Sequence, residues 1–128
     1  MPTNFSRKAS LIAVGALAAS FAGAQDPVRV DPNPQHYKVE VENDQVRVLH
    51  VRLGPKETSP MHYHPQTVVI SQSEVLLRFT YLDGKTEERM TTAGSIRFRL
   101  PVTHTAENLS DKDFDAIEIE LKPLPKSQ

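Results

Sequence analysis

From residue 37 onward the chain alternates apolar and polar positions almost without a break. Tyr37-Lys-Val-Glu-Val-Glu42 alternates one by one, and Asn43-Asp44 then supplies a turn signal. Val46 to Leu53 alternates loosely and stops at Gly54-Pro55. Thr67-Val-Val-Ile-Ser71 is β-branched, and Val75 to Tyr81 runs into Asp83-Gly84, the strongest hairpin signal in the chain. Lys85 to Met90 returns, Ser95 to Leu100 alternates and ends at Pro101, and His104 to Asn108 is short. Phe114-Asp-Ala-Ile-Glu-Ile-Glu-Leu121 makes a final strand. About eight or nine short strands, spaced by roughly ten residues with turn chemistry between them, predict an all-β sandwich or barrel. No helical period stands out after residue 24.

The first 24 residues follow a different rule. Arg7 and Lys8 precede a short apolar run from Leu11 to Ala22, and Ala22-Gly-Ala24 gives the small-x-small pattern of a cleavage site. That order predicts a secretory signal peptide over 1–24, with an uncleaved anchor as the other reading. Residues 25–36 hold three prolines and no apolar period, so they are expected to form an extended N-terminal arm. The barrel is expected over 37–122, and the Pro-bearing 123–128 as a frayed tail. Export to the periplasm or outside the cell is the localisation this organisation predicts.

Charge narrows the partners. The 128 residues carry 15 Lys+Arg and 16 Asp+Glu. Loss of Arg7 and Lys8 with the leader leaves 13 basic against 16 acidic residues, a mature net charge of about −3. This mixed, mildly acidic balance gives no footprint for nucleic acid, nor for a membrane surface once the leader is gone. With no cysteine, a small exported domain is held by core packing, or with help from a metal or a second subunit.

The chemistry concentrates in Gly54-Pro-Lys-Glu-Thr-Ser-Pro-Met-His62-Tyr-His64-Pro65. Two histidines two apart on a strand share a face, about 6.6 Å apart along it. Their imidazoles are long enough to converge on one ion at about 2.0–2.1 Å. His104, in Pro101-Val-Thr-His-Thr-Ala-Glu-Asn108, is the candidate third ligand if a barrel sets the two strands side by side.

These two segments resemble the two-part signature of the cupins. Gly54 to His62 and His64 matches the first part, and Gly94 through Pro101 to His104 and Asn108 matches the second. The resemblance covers about Tyr37 to Leu121, and is greatest to the small, single-domain conserved-barrel cupins of the cupin 2 type. It implies a double-stranded β-helix, or jelly-roll barrel, with His62, His64 and His104 as metal ligands. The chain departs from the pattern in three places. The usual Glu after the second His is replaced by Val68 or Val69, Gly54 to His62 is longer than usual, and no Gly lies between Pro101 and His104. Counting by two from His64 through Gln66 assigns Val68 to the inward face. Without the Glu the ligand set is neutral and leaves open positions of the kind a catalytic metal uses. A divalent transition metal (Fe, Zn, Ni, Mn or Cu) is the cofactor implied, with a metal-free barrel as the alternative.

Other residues receive plainer readings. Gln66 is a weak fourth ligand or a substrate hydrogen-bond partner, and Val68 a wall of the same pocket. His50 reads as a surface or cross-strand partner, and His36 as a solvated member of the arm. Arg78, Arg97 and Arg99 read as a solvated or salt-bridged strand face, against the reading that one turns inward to hold a carboxylate. Met61 and Tyr63 point away from the histidines, Asn108 serves a turn, and Phe79, Phe98 and Phe114 are expected in the core. No Asp or Glu stands out as a general base beside the three histidines.

Three functions fit. One is a metal-dependent enzyme of oxygenase, isomerase or hydrolase type acting on a small organic molecule. The second is a non-catalytic barrel that holds a small ligand without metal. The third is an interaction protein that works as a homodimer.

Overall fold

The computed structural model describes residues 35–126. The expected signal peptide, most of the proline-bearing arm and the last two residues lie outside them. Nine strands follow one another among the described residues: β1 (Tyr37–Glu42), β2 (Val46–Leu53), β3 (His62–His64), β4 (Thr67–Ser71), β5 (Leu76–Tyr81), β6 (Thr86–Met90), β7 (Ile96–Arg99), β8 (Val102–Asn108) and β9 (Phe114–Leu121). They form two antiparallel sheets, one in the order β1-β2-β9-β4-β7 and the other β3-β8-β5-β6.

The turns explain where the strands stop. Asn43 Oδ1 accepts the backbone N–H groups of Gln45 and Val46 at 2.8 and 2.9 Å, which reverses the chain between β1 and β2. Gly84 takes φ +81° after Asp83 and closes the β5–β6 hairpin, a conformation open to glycine without a Cβ penalty. Asn108 is fully buried, and its Nδ2 donates to the carbonyls of Leu53, Gly54 and Lys112. It ties the end of β8 to the loops after β2 and before β9, so it serves a long-range link as well as the local turn expected of it.

The inner face of the larger sheet changes character along its strands. At one end Leu53 opposes Phe114 and Val51 opposes Ala116, and these join Leu77, Val75 and Phe79 of the other sheet in the core. At the other end the inward rows are charged. Arg47, Glu120, Thr67 and Arg99 stand side by side across four strands, followed by Leu49, Glu118, Val69 and Arg97. Burying Glu118 and Glu120 takes pairing with Arg99 and Arg47, because an unpaired buried charge costs roughly several kcal/mol, while Arg97 on edge strand β7 stays exposed.

The outer face of the same sheet carries an apolar row. Val41, Val48, Ile119, Val68 and Phe98 lie in one cross-strand row. Phe98 therefore does not join the core as expected. It is 58 % exposed on edge strand β7, because its neighbours Arg97 and Arg99 take the inward positions. His36 is also not solvated. Its carbonyl accepts the Arg52 N–H at 2.8 Å, which extends the β1–β2 ladder and brings the side chain to 11 % exposure.

Candidate metal centre

The strands that carry the histidines are direct neighbours. β3 pairs with β8 so that His62 opposes His104 and His64 opposes Val102. Opposed residues share a face, as do residues two apart, so all three imidazoles enter the space between the sheets. Each is at least 96 % buried, with exposures of 4, 2 and 3 % for His62, His64 and His104. Ring centroids lie 4.5 Å apart for His62 and His64, 5.0 Å for His62 and His104, and 5.4 Å for His64 and His104. One ligand nitrogen from each falls within 4.8 Å of the other two, a spacing that small ring rotations close onto one ion.

Each ring is oriented by what touches it. His62 Nδ1–H donates to the Pro60 carbonyl at 2.6 Å, which leaves Nε2 with its lone pair. The Tyr37 hydroxyl donates to that nitrogen at 3.0 Å. His64 Nδ1 faces two carboxylates, Glu120 Oε1 at 3.3 Å and Glu118 Oε2 at 3.4 Å, so it carries the proton and its Nε2 is the free side. His104 is stacked on Phe79, with centroids 5.0 Å apart and planes 22° apart. Burial, reinforced by the neighbouring His64, pushes His62 down to about 4. Burial and His64 likewise push His104 down to about 2. Both are neutral at pH 7, the form that ligates a metal.

The two carboxylates are held in turn by arginines. Arg99 donates to both oxygens of Glu118 at 3.2 and 2.9 Å, and Arg47 Nε donates to Glu120 Oε2 at 2.7 Å. Burial raises the Glu118 carboxyl, but Arg99 and His64 outweigh it and bring it down to about 2. Burial acts in the same way on Glu120, and the His64 hydrogen bond and Arg47 hold it below the ordinary carboxylate range. Tyr37 moves the other way. Burial and then Glu118 raise its phenol well above the usual range, so it stays a hydroxyl donor.

Above His64 and His104 opens a cavity of about 400 Å³. The expectation that Gln66 and Val68 line it does not hold. Gln66 is exposed, and Val68 faces outward between Ile119 and Phe98. The chain leaves one sheet after His64 and enters the other at Thr67, and this corner at Pro65 shifts the alternation by one residue. Val69 therefore takes the inward place that counting by two gave to Val68. The expectation of no carboxylate beside the histidines is also corrected by Glu118 and Glu120. Their signal was present: with Phe114 inward, period two turns Ala116, Glu118 and Glu120 inward as well. Of the three alternating arginines, Arg78 lies outside with Glu88 and Glu107, as read, while Arg97 and Arg99 line the cavity. His50 is the cross-strand partner expected, 2.7 Å from Asp115.

A cupin domain from Bordetella pertussis Tohama I superposes with a TM-score of 0.64 at 28 % identity, over 68 % of this chain and 92 % of that one. The fold is that of a cupin. A conserved protein with a double-stranded β-helix domain from Klebsiella pneumoniae matches this chain with a TM-score of 0.55 at 21 % identity, over 68 % of this chain and 75 % of that one. An RmlC-like cupin family protein from Methanocaldococcus jannaschii gives 0.54 at 16 % identity, over 67 % and 78 %. No protein-family model matches the sequence, and no curated protein does. In this cupin-like fold the larger sheet supplies the charged wall behind His64, and the smaller sheet supplies all three histidines.

Proposed function

We propose that this cupin holds one divalent transition metal on His62, His64 and His104 and works on a small organic molecule in the adjoining cavity. One observation carries the reading: three buried imidazoles converge, and two of them have Nδ1 engaged by an acceptor, which leaves Nε2 for an ion. The donor set suits Zn, Fe, Ni or Cu. A metal held by three neutral ligands supplies Lewis acidity with positions open to a second molecule. The chain's own residues do the rest. Pro60 and Glu120 fix the rings, Phe79 backs His104, and the apolar wall of Val51, Leu77 and Phe114 excludes water from a bound molecule. The test is elemental analysis of the purified protein, alone and as His62→Ala and His104→Ala. The reading expects about one metal per chain, lost in both variants; a metal-free wild type or unchanged variants would remove it.

One contact favours a second reading, a barrel that binds a small ligand without metal. The Tyr37 hydroxyl occupies the same His62 lone pair that an ion requires. The same elemental analysis separates the two. Export is part of the proposal on sequence grounds, and an N-terminus at Gln25 in the secreted or periplasmic fraction is its test.

A further inference from the structure

Three arginines, Arg89, Arg97 and Arg99, line the cavity, against one lining acid, Glu118. Arg99 and Glu118 neutralise each other through their two hydrogen bonds. Arg89 pairs with Glu87 at the rim, which also accepts the Tyr81 hydroxyl at 2.8 Å. Arg97 has no hydrogen-bond or ion-pair partner among the described residues and acts on Glu87 only at a distance. The space therefore carries one uncompensated positive charge.

Position makes that charge useful. Arg97 opposes Val69 and Arg99 opposes Thr67, so the two guanidinium stems rise on one face of β7, about 6.6 Å apart. Arg99 Nε is buried with no hydrogen-bond partner, a donor left in need of an acceptor. On the facing sheet the Arg89 guanidinium lies 5.2 Å over the Phe79 ring, which stacks on His104. An apolar wall thus runs from the arginines to the histidines. A planar carboxylate matches an arginine fork in shape and charge, whereas an amine would be repelled and a neutral molecule would draw no ionic attraction from Arg97.

We propose that the cavity selects a small organic acid, its carboxylate held by Arg97 at the mouth and its carbon chain lying along Phe79 toward the three histidines. This rests on the reading of that pocket as the binding site and adds the class of molecule it takes. The acid spans from the rim inward, so a short chain suits it better than a bulky one.

The experiment is calorimetric titration of the full chain, metal-stripped and zinc-loaded, with malonate, succinate, glutarate and benzoate, each against its uncharged amide. At least one acid is expected to bind tenfold or more tightly than its amide. Arg97→Ala and Arg97→Gln are expected to lose tenfold or more of that binding while keeping the wild-type thermal midpoint and metal content. Equal binding of acids and amides, no binding by any acid, or undiminished binding by both variants would overturn the proposal. Metal analysis of the same samples separates the two readings. Acid binding by a chain that takes up no zinc overturns the metal reading and supports this one; zinc uptake without charge preference overturns this one alone.

Discussion

Glu120 stands between His64 and Arg47, one oxygen 3.3 Å from the imidazole Nδ1 and the other 2.7 Å from the guanidinium Nε. The carboxylate fixes which nitrogen of His64 faces the cavity, and the arginine keeps the carboxylate charged in a buried place. Fold and chemistry meet in this chain of contacts, since Arg47 and Glu120 are also cross-strand partners of β2 and β9.

Glu120→Gln keeps the shape but weakens the hold on His64. It is expected to lower zinc affinity by about 10- to 100-fold, measured by competition with a chromophoric chelator. Arg47→Met strands Glu120 without its counter-ion and is expected to destabilise the fold by roughly 3–5 kcal/mol in urea unfolding. A Glu120→Gln affinity equal to wild type would mean that His64 is oriented by other contacts.

Tyr37→Phe frees the lone pair of His62 Nε2. Removing one competing hydrogen bond worth about 1 kcal/mol raises zinc affinity by about fivefold. A fall in affinity would instead show that the hydroxyl helps to hold the ion.

His62 and His104 set the acid behaviour of the metal-free protein. Both imidazoles titrate lower in the folded chain than in the unfolded one, at about 4 and about 2. Below about pH 6.5 the unfolded chain therefore binds protons that the folded chain refuses. Stability is full above that pH and falls as pH drops toward 4, on the order of 1 kcal/mol per unit for each histidine. Urea midpoints measured from pH 7 to pH 4 check this, and His104→Gln is expected to flatten the slope.

Val69 and Val68 test the inward register. Val69→Phe fills the cavity and is expected to abolish binding of any acid found to enter it, while Val68→Phe, on the outer row beside Ile119 and Phe98, leaves binding unchanged. Calorimetry on the two variants distinguishes them, and the reverse pattern would contradict the register.

The succession of strands was legible because period-two alternation and turn residues are local; the shared face of His62 and His64 followed from their spacing, and His104 joined them through the cupin resemblance. Val68 and Gln66 were misread because alternation carries no record of a chain crossing between sheets, as it does at Pro65. Phe98 was misread because hydrophobicity does not say which face is inside when an arginine on the other face, Arg99, finds the buried partner Glu118. Glu118 and Glu120 were hidden for the same reason: Ile117, Ile119 and Leu121 gave the strand a second apolar face that turns out to lie outside. The Tyr37–His62 contact joins residues 25 apart across two sheets, which no local pattern records.

Electron paramagnetic resonance of the copper(II)-loaded protein carrying ¹⁵N-histidine tests the central claim most directly. The account predicts one bound copper whose spectrum shows coupling to three histidine nitrogens, falling to two in His104→Ala. Copper coupled to two or fewer nitrogens in the wild type, or a spectrum indifferent to the loss of His104, would contradict it.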